Sequence, residues 1–117
     1  MHSTLSELSY KTYVYLFDVK YFAKSLKDKG YEENDITLIA KDAEKLYKFL
    51  LKAIELKTET EQYEVLTDAL KLAESLLNDF KSLKCGDKFC NEKTDLLVET
   101  FSICERIKII LEQTLRK

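Results

Sequence analysis

The chain of 117 residues contains no proline, no tryptophan and only two glycines. β-rich folds need turn residues at short intervals, so this scarcity counts against them. It also excludes collagen-like chains and Pro/Gly-rich linkers. The hydrophobic share of 45% is too high for a disordered chain, and the length suits one domain. The composition therefore predicts a single helical domain over residues 1–117.

A large excess of charge of either sign is also missing, since 19 basic and 21 acidic residues give a net charge of −2. Proteins held to nucleic acid or to membranes by bulk electrostatics usually have a clear basic excess. The longest apolar run, residues 13–17, is far too short to span a membrane, and the first nine residues lack a secretory pattern. We therefore expect a cytoplasmic protein without membrane contact. The abundance of Lys, Glu, Ile and Leu would suit a thermophile or an organism with an AT-rich genome.

Apolar residues recur with the spacing of one helical face in four stretches of the chain. We predict helices over residues 4–29, 35–57, 60–85 and 91–116. Connections of about four to seven residues favour antiparallel neighbours. The sequence therefore predicts an all-α fold, an antiparallel up-down-up-down four-helix bundle.

Each predicted helix contributes one apolar stripe to the core. On the first two helices the stripes are Leu5, Leu8, Thr12, Tyr15, Val19, Phe22 and Leu26, and Ile36, Ile39, Ala43, Leu46, Leu50 and Ala53. On the last two they are Tyr63, Leu66, Leu70, Ala73, Leu76, Phe80 and Leu83, and Leu97, Phe101, Cys104, Ile107, Leu111 and Leu115.

Local signals mark most of the helix ends. The expected N-terminal caps are Thr4 with Glu7, Asn34 or Asp35, and Thr58 with Glu61. Gly30 and Gly86 lie where helix C-terminal glycines are expected. The polar run 57–62 breaks the phase of the second stripe, which indicates a loop or a bend in one long helix.

The first helix carries a second apolar stripe, opposite its core stripe. This stripe consists of Tyr10, Tyr13, Val14, Phe17 and Tyr21. The two stripes are offset by two residues, about 200° around a helix, so one partner layer cannot cover both. Either the helix is buried between two others, or the second stripe binds another protein or a second copy in a homodimer. Aromatic residues are enriched at the cores of such interfaces.

A third interpretation makes the same helix a nucleic-acid surface. Lys20 and Lys24 share a face, and with Lys11 they lie among aromatic residues that can stack on bases. Lys11, however, lies about 180° from Lys20 around the helix. The lysines therefore agree only partly with this interpretation.

Cys85 and Cys90 flank the predicted turn between the last two helices. Free thiols are the default in the cytosol, and a disulfide across the turn is the alternative. Zinc normally takes four ligands, and neither Cys104 nor His2 completes such a set. We therefore expect no metal site.

Residues with a catalytic pattern are scarce. The only histidine is His2, and no glycine-rich phosphate loop, Gly-x-Ser-x-Gly elbow or Glu-x-x-His pair occurs. The carboxylates, Asp95 and Glu99 among them, are expected to be solvated. We therefore predict a non-enzymatic interaction or assembly protein without a cofactor, which uses the second stripe of its first helix. A nucleic-acid-associated helical subunit is the alternative.

Overall fold

The computed structural model describes residues 2–30, 33–83 and 89–115. Its helices are α1 (His2–Asp28), α2 (Glu33–Glu55), α3 (Glu59–Ser82) and α4 (Cys90–Leu115). The described residues include no strand. The predicted all-α class with four helices is confirmed.

The helices form an elongated bundle that measures 49 × 19 × 19 Å. Each helix packs against two others, in the ring order α1, α2, α3, α4 and back to α1. Over the described residues, the backbones of the diagonal pairs α1–α3 and α2–α4 do not approach each other closely. Side chains meet in the centre of the bundle, where the ring centroids of Phe22 on α1 and Phe80 on α3 lie 6.3 Å apart. The packing of α1 on α4, called the α1–α4 seam below, is the least extensive of the four.

Contacts along the α1–α4 seam give the relative direction of the two helices. The hydroxyl of Tyr15 bonds to Thr100, and further along α1 the ring of Phe22 lies 6.2 Å from that of Phe89. Tyr15 thus contacts Thr100, whereas the later residue Phe22 contacts the earlier residue Phe89. The chain therefore runs in opposite directions along α1 and α4. The connection of α2 to α3, residues 56–58, reaches at most about 10 Å, far less than the length of either helix. This agrees with the predicted antiparallel order.

The core stripes of α1 and α2 are buried at every predicted position. Three further α1 residues are buried beside them, namely Ser9, Leu16 and Ala23. On α3, Tyr63 and Leu70 are only half-buried, and Ala69 takes a core position instead. The remaining α3 positions are buried as predicted.

The predicted phase of α4 is wrong in its first half. Phe101, placed in the core by its spacing, is 54% exposed, and Leu97 is only half-buried. Thr100 is fully buried instead, because its hydroxyl is hydrogen-bonded inside the bundle. This polar residue interrupts the apolar spacing and so conceals the real stripe. The buried α4 residues are Leu96, Thr100, Ile103, Cys104, Ile107, Ile110 and Leu111.

A three-residue loop, and not a bend, separates α2 from α3. Oγ1 of Thr58 accepts a hydrogen bond from the backbone N–H of Glu61 at 3.2 Å, which confirms the predicted cap. The side-chain amide of Gln62 donates to the carbonyls of Ala53 at 3.1 Å and Leu56 at 3.2 Å. The first turn of α3 thereby satisfies carbonyl groups that α2 leaves open at its end.

Two predicted capping residues do not lie at helix starts, although the starts themselves agree with the predicted bounds to within two residues. Because α1 begins at His2 and α2 at Glu33, Thr4 and the Asn34–Asp35 pair lie inside first turns instead of capping them. First-turn N–H groups can also bond to water, so a capping residue does not by itself fix where a helix starts. Gly30 follows α1 with a φ of 84°, as expected of a C-terminal glycine. Gly86 lies outside the described residues.

Candidate interaction surface

The second stripe of α1 lies at the surface of the bundle along its whole length. Its five residues, Tyr10, Tyr13, Val14, Phe17 and Tyr21, are called the outer face below. Their exposed fractions range from 41% for Tyr13 to 76% for Tyr21. The interpretation in which α1 is buried on both sides is therefore wrong, because α2 and α4 cover only the core side of α1.

Ring contacts hold part of the outer face in place. The rings of Tyr13 and Phe17 meet edge to face, with 4.9 Å between their centroids. Tyr13 also lies 5.4 Å from the ring of Tyr47, a half-buried residue of α2. Together with the exposed Leu51, Tyr47 extends the apolar surface across a groove of about 300 Å³ between α1 and α2. Such aromatic contacts limit the rotamers of the rings before any partner binds.

Lysine side chains line the α2 side of the outer face. Lys20 and Lys48 contribute to the wall of the α1–α2 groove, together with Glu44. Lys24 is exposed one turn after Lys20 on the same side of α1. Lys20, Lys24 and Lys48 are called the basic edge below.

Carboxylates line the opposite, α4 side of the outer face. A cavity of about 440 Å³ opens there between α1 and α4. Its apolar lining includes the buried residues Phe22, Phe89 and Leu96, and Tyr21 of the outer face lies at its border. Its acidic lining, called the acidic edge below, consists of Asp18, Glu92, Asp95 and Glu99.

Glu99 and Asp18 form a carboxyl pair across the α1–α4 seam. Burial raises the pKa of Glu99 from 4.5 to about 7, and the charge and hydrogen bond of Asp18 add to this rise. The nearby Lys11 lowers the pKa, and Asp95 raises it slightly. Near neutral pH the Glu99 carboxyl is therefore protonated for part of the time.

The prediction that Glu99 is simply solvated is wrong, since this residue is half-buried. Part of the acidic edge has a sequence signal, because residues 92, 95 and 99 recur at three- and four-residue spacing on one face of α4. The position of Asp18 opposite them depends on the packing of α1 on α4. No local pattern contains that information.

The lysines considered for nucleic-acid binding lie on two sides of α1. Lys20 and Lys24 are exposed on the basic edge, whereas Lys11 is half-buried and interacts with Glu99 on the acidic side. The structure therefore does not join the three lysines into one basic surface around the tyrosines. Binding of RNA or DNA through Lys20 and Lys24 stays a prediction.

The cysteines are separated in the fold. Cys90, the first residue of α4, is exposed and has a free thiol, and Cys104 is buried with a free thiol. Burial raises the pKa of the Cys104 thiol to about 11. Cys85 lies outside the described residues, so the suggested Cys85–Cys90 disulfide falls there too. Among the residues described, no group of three or more His, Cys, Asp or Glu is arranged to hold a metal ion.

None of the helices, over their described lengths, is both long and apolar enough to cross a membrane.

Comparisons with known proteins identify no relative of this chain. No protein-family model matches the chain, and searches of curated proteins and of solved structures find no match. The function is therefore inferred from the outer face and its two edges.

Proposed function

We propose that this bundle is a non-enzymatic interaction or assembly protein. It binds a protein partner, either a second copy of itself or another protein, through the outer face of α1. The observation that carries this proposal is the exposure of five neighbouring large apolar side chains on one helix, beside a core that is already closed. Isolated exposed apolar residues are ordinary, but contiguous apolar patches mark interaction sites.

The composition of the outer face supports a protein partner. Four of its five residues are aromatic, and aromatic side chains are enriched among the residues that dominate binding energy. Removing this apolar surface from water contributes roughly 25 cal/mol for each Å² that is covered. The hydroxyls of Tyr10 and Tyr21, the two most exposed side chains of the face, can bond to a partner and fix its orientation.

Preorganisation also supports this role. Tyr13 contacts both Phe17 and Tyr47, so its ring is held between α1 and α2 in the unbound bundle. A side chain that is already held in place loses less conformational entropy on binding. The proposed compartment is the cytoplasm, where the free thiols of Cys90 and Cys104 would remain reduced.

A pair of matched substitutions tests the proposal. Phe17 and Phe101 are 57% and 54% exposed, but Phe101 lies on α4, about 200° around that helix from the α1-facing Glu99. We expect Phe17→Glu to abolish association and Phe101→Glu to leave it intact. Circular dichroism checks that both variants remain folded.

Two measurements report association. Sedimentation velocity from micromolar to millimolar concentration detects self-association, and cross-linking in an extract of the source cells recovers other partners. Association that is lost in Phe17→Glu and kept in Phe101→Glu supports the proposal. A chain that is monomeric throughout, with the same recovered proteins for the wild type and both variants, contradicts it.

A further inference from the structure

We infer that the partner is a second copy of this chain, whose α1 packs parallel to the first about a two-fold axis along the outer face. This inference rests on the proposed function and adds to it the identity and the orientation of the partner. It depends on the opposite charges of the two edges that flank the outer face.

The two edges differ clearly in charge. The acidic edge presents four carboxylates beside the α1–α4 cavity, and Lys11 offsets part of their charge. The basic edge presents three lysines beside the α1–α2 groove, and Glu44 offsets part of theirs. Between the edges, the outer face itself has no charged residue. The surface is thus an apolar strip with a negative border on one side and a positive border on the other.

Two-fold symmetry turns this asymmetry into a preferred orientation. When two copies meet through the same face, the two-fold axis lies in the plane of the interface. An axis along α1 makes the two α1 helices parallel and places the acidic edge of each copy opposite the basic edge of the other. An axis across α1 makes the helices antiparallel and places like charges opposite each other. The attraction of opposite charges therefore favours the parallel dimer.

The outer face is compatible with the parallel arrangement. Each α1 residue then lies opposite its own symmetry mate, so Phe17 meets Phe17 and Tyr21 meets Tyr21. These residues are uncharged, so packing like against like brings aromatic rings together without repulsion. From Tyr10 to Tyr21 the face extends about 16 Å along the helix.

The bundle is large enough for a stable interface of this kind. Stable interfaces bury about 800 Å² on each partner. One side of a body that measures 49 by 19 Å offers an area of that order. The outer face would form the apolar centre of the interface, and the two edges would form its polar rim.

The first experiment measures the effect of charge on self-association. In the parallel dimer, Lys20→Glu places a carboxylate opposite the acidic edge, and symmetry repeats this contact. We expect sedimentation equilibrium to show an increase in Kd of roughly tenfold at low salt, which salt reduces. In an antiparallel dimer the same substitution would relieve repulsion and lower Kd. Lys108→Glu, on α4 and outside both edges, serves as the control.

The second experiment measures orientation by cross-linking. A background with Cys85→Ser and Cys90→Ser retains only Cys104, whose burial protects its thiol. Tyr10→Cys and Tyr21→Cys are then made singly in this background. Each is treated with a bis-maleimide shorter than the roughly 16 Å that separates the two positions along α1. The background protein without an added cysteine controls for reaction at Cys104.

The outcomes separate this inference from the proposed function. In a parallel dimer each single-cysteine variant cross-links to itself. Cross-linking only when the two variants are mixed overturns the parallel orientation and leaves the proposed function in place. A monomer without cross-links overturns the second copy as partner. If the wild type then recovers a different protein, and Phe17→Glu does not recover it, the proposed function would still be supported.

Discussion

The hydroxyl of Tyr15 lies 2.8 Å from Oγ1 of Thr100, inside the α1–α4 seam. Oγ1 of Thr100 also donates to the carbonyl of Leu96 at 2.6 Å. Its single hydrogen is thus already in use, so the Tyr15 hydroxyl is the donor to Thr100. Burial raises the pKa of Tyr15 well above its usual value of 10, which keeps this donor protonated. The bond joins the first and last helices of the bundle.

We expect Thr100→Val to destabilise the protein more than Tyr15→Phe. Thr100→Val leaves the buried Tyr15 hydroxyl without an acceptor, which costs about 1–3 kcal/mol. Tyr15→Phe leaves Thr100 bonded to Leu96 and costs about 1 kcal/mol. The double variant should be more stable than Thr100→Val alone, because no polar group is then left unpaired. Urea unfolding of all four proteins provides the double-mutant cycle.

Equal destabilisation by the two single substitutions, with additive effects in the double variant, would contradict this account. In that case the hydroxyls would contribute only through the volume they fill. A change in the slope of the unfolding curve would show that a variant altered the compactness of one state, and its free energy would then not be comparable.

We expect the stability of the wild-type protein to fall relative to Glu99→Gln between about pH 4.5 and pH 7. The pKa of Glu99 is about 7 in the folded protein and 4.5 is its ordinary value, so the folded state holds more protons between these values. The stabilisation that the protonated Glu99 contributes is complete below its ordinary pKa of 4.5, and it is lost as the pH rises through the folded-state pKa of about 7. Glutamine at position 99 does not ionise and removes this loss. After a discount for solvent screening, the difference should reach about 1 kcal/mol.

The comparison needs a control for the general effect of removing a carboxylate from this helix. Glu112→Gln changes an exposed carboxylate on the same helix. The stability of this variant is measured beside that of the wild type and of Glu99→Gln at each pH. A difference between Glu99→Gln and the wild type that does not change with pH would mean that the Glu99 carboxyl is not protonated near neutral pH.

We expect Gln62→Ala to destabilise the protein by about 1 kcal/mol, as loss of a helix-end hydrogen bond typically does. Its amide donates to the backbone carbonyls of Ala53 and Leu56. Hydrogen–deuterium exchange should rise at the end of α2 more than in the middle of that helix. Thr60→Ala, an exposed change in the same turn of α3, should have little effect on either measurement. Unchanged exchange at the end of α2 would contradict the capping role.

The sequence was sufficient to predict the helices and the core stripes of α1 and α2, because apolar spacing alone marks those buried faces. It was not sufficient in the first half of α4. There the buried stripe contains a polar residue, Thr100, while the apolar Phe101 next to it is exposed although its spacing is that of a core residue. Distinguishing the two requires knowing that Tyr15 supplies a bond from another helix.

In the candidate site, too, the sequence predicts what depends on one helix and misses what depends on the packing of two. The outer face was identifiable from its spacing along one helix, although its exposure was not, because a helix with two apolar sides can also lie between two others. The acidic and basic edges each combine residues of two helices, such as Asp18 with Glu99 and Lys20 with Lys48. Such pairings arise from packing and have no local signal.

The α1–α4 seam has a consequence for the order of folding. The other three helix pairs are neighbours along the chain, so each forms by closing a short loop, which is fast. The seam instead joins the two most distant helices and is the least extensive packing of the four. It should therefore form late, and it should be the first part of the native bundle to open. Amide exchange in α1 and α4 would then occur by partial opening, while the middles of α2 and α3 would exchange only through global unfolding.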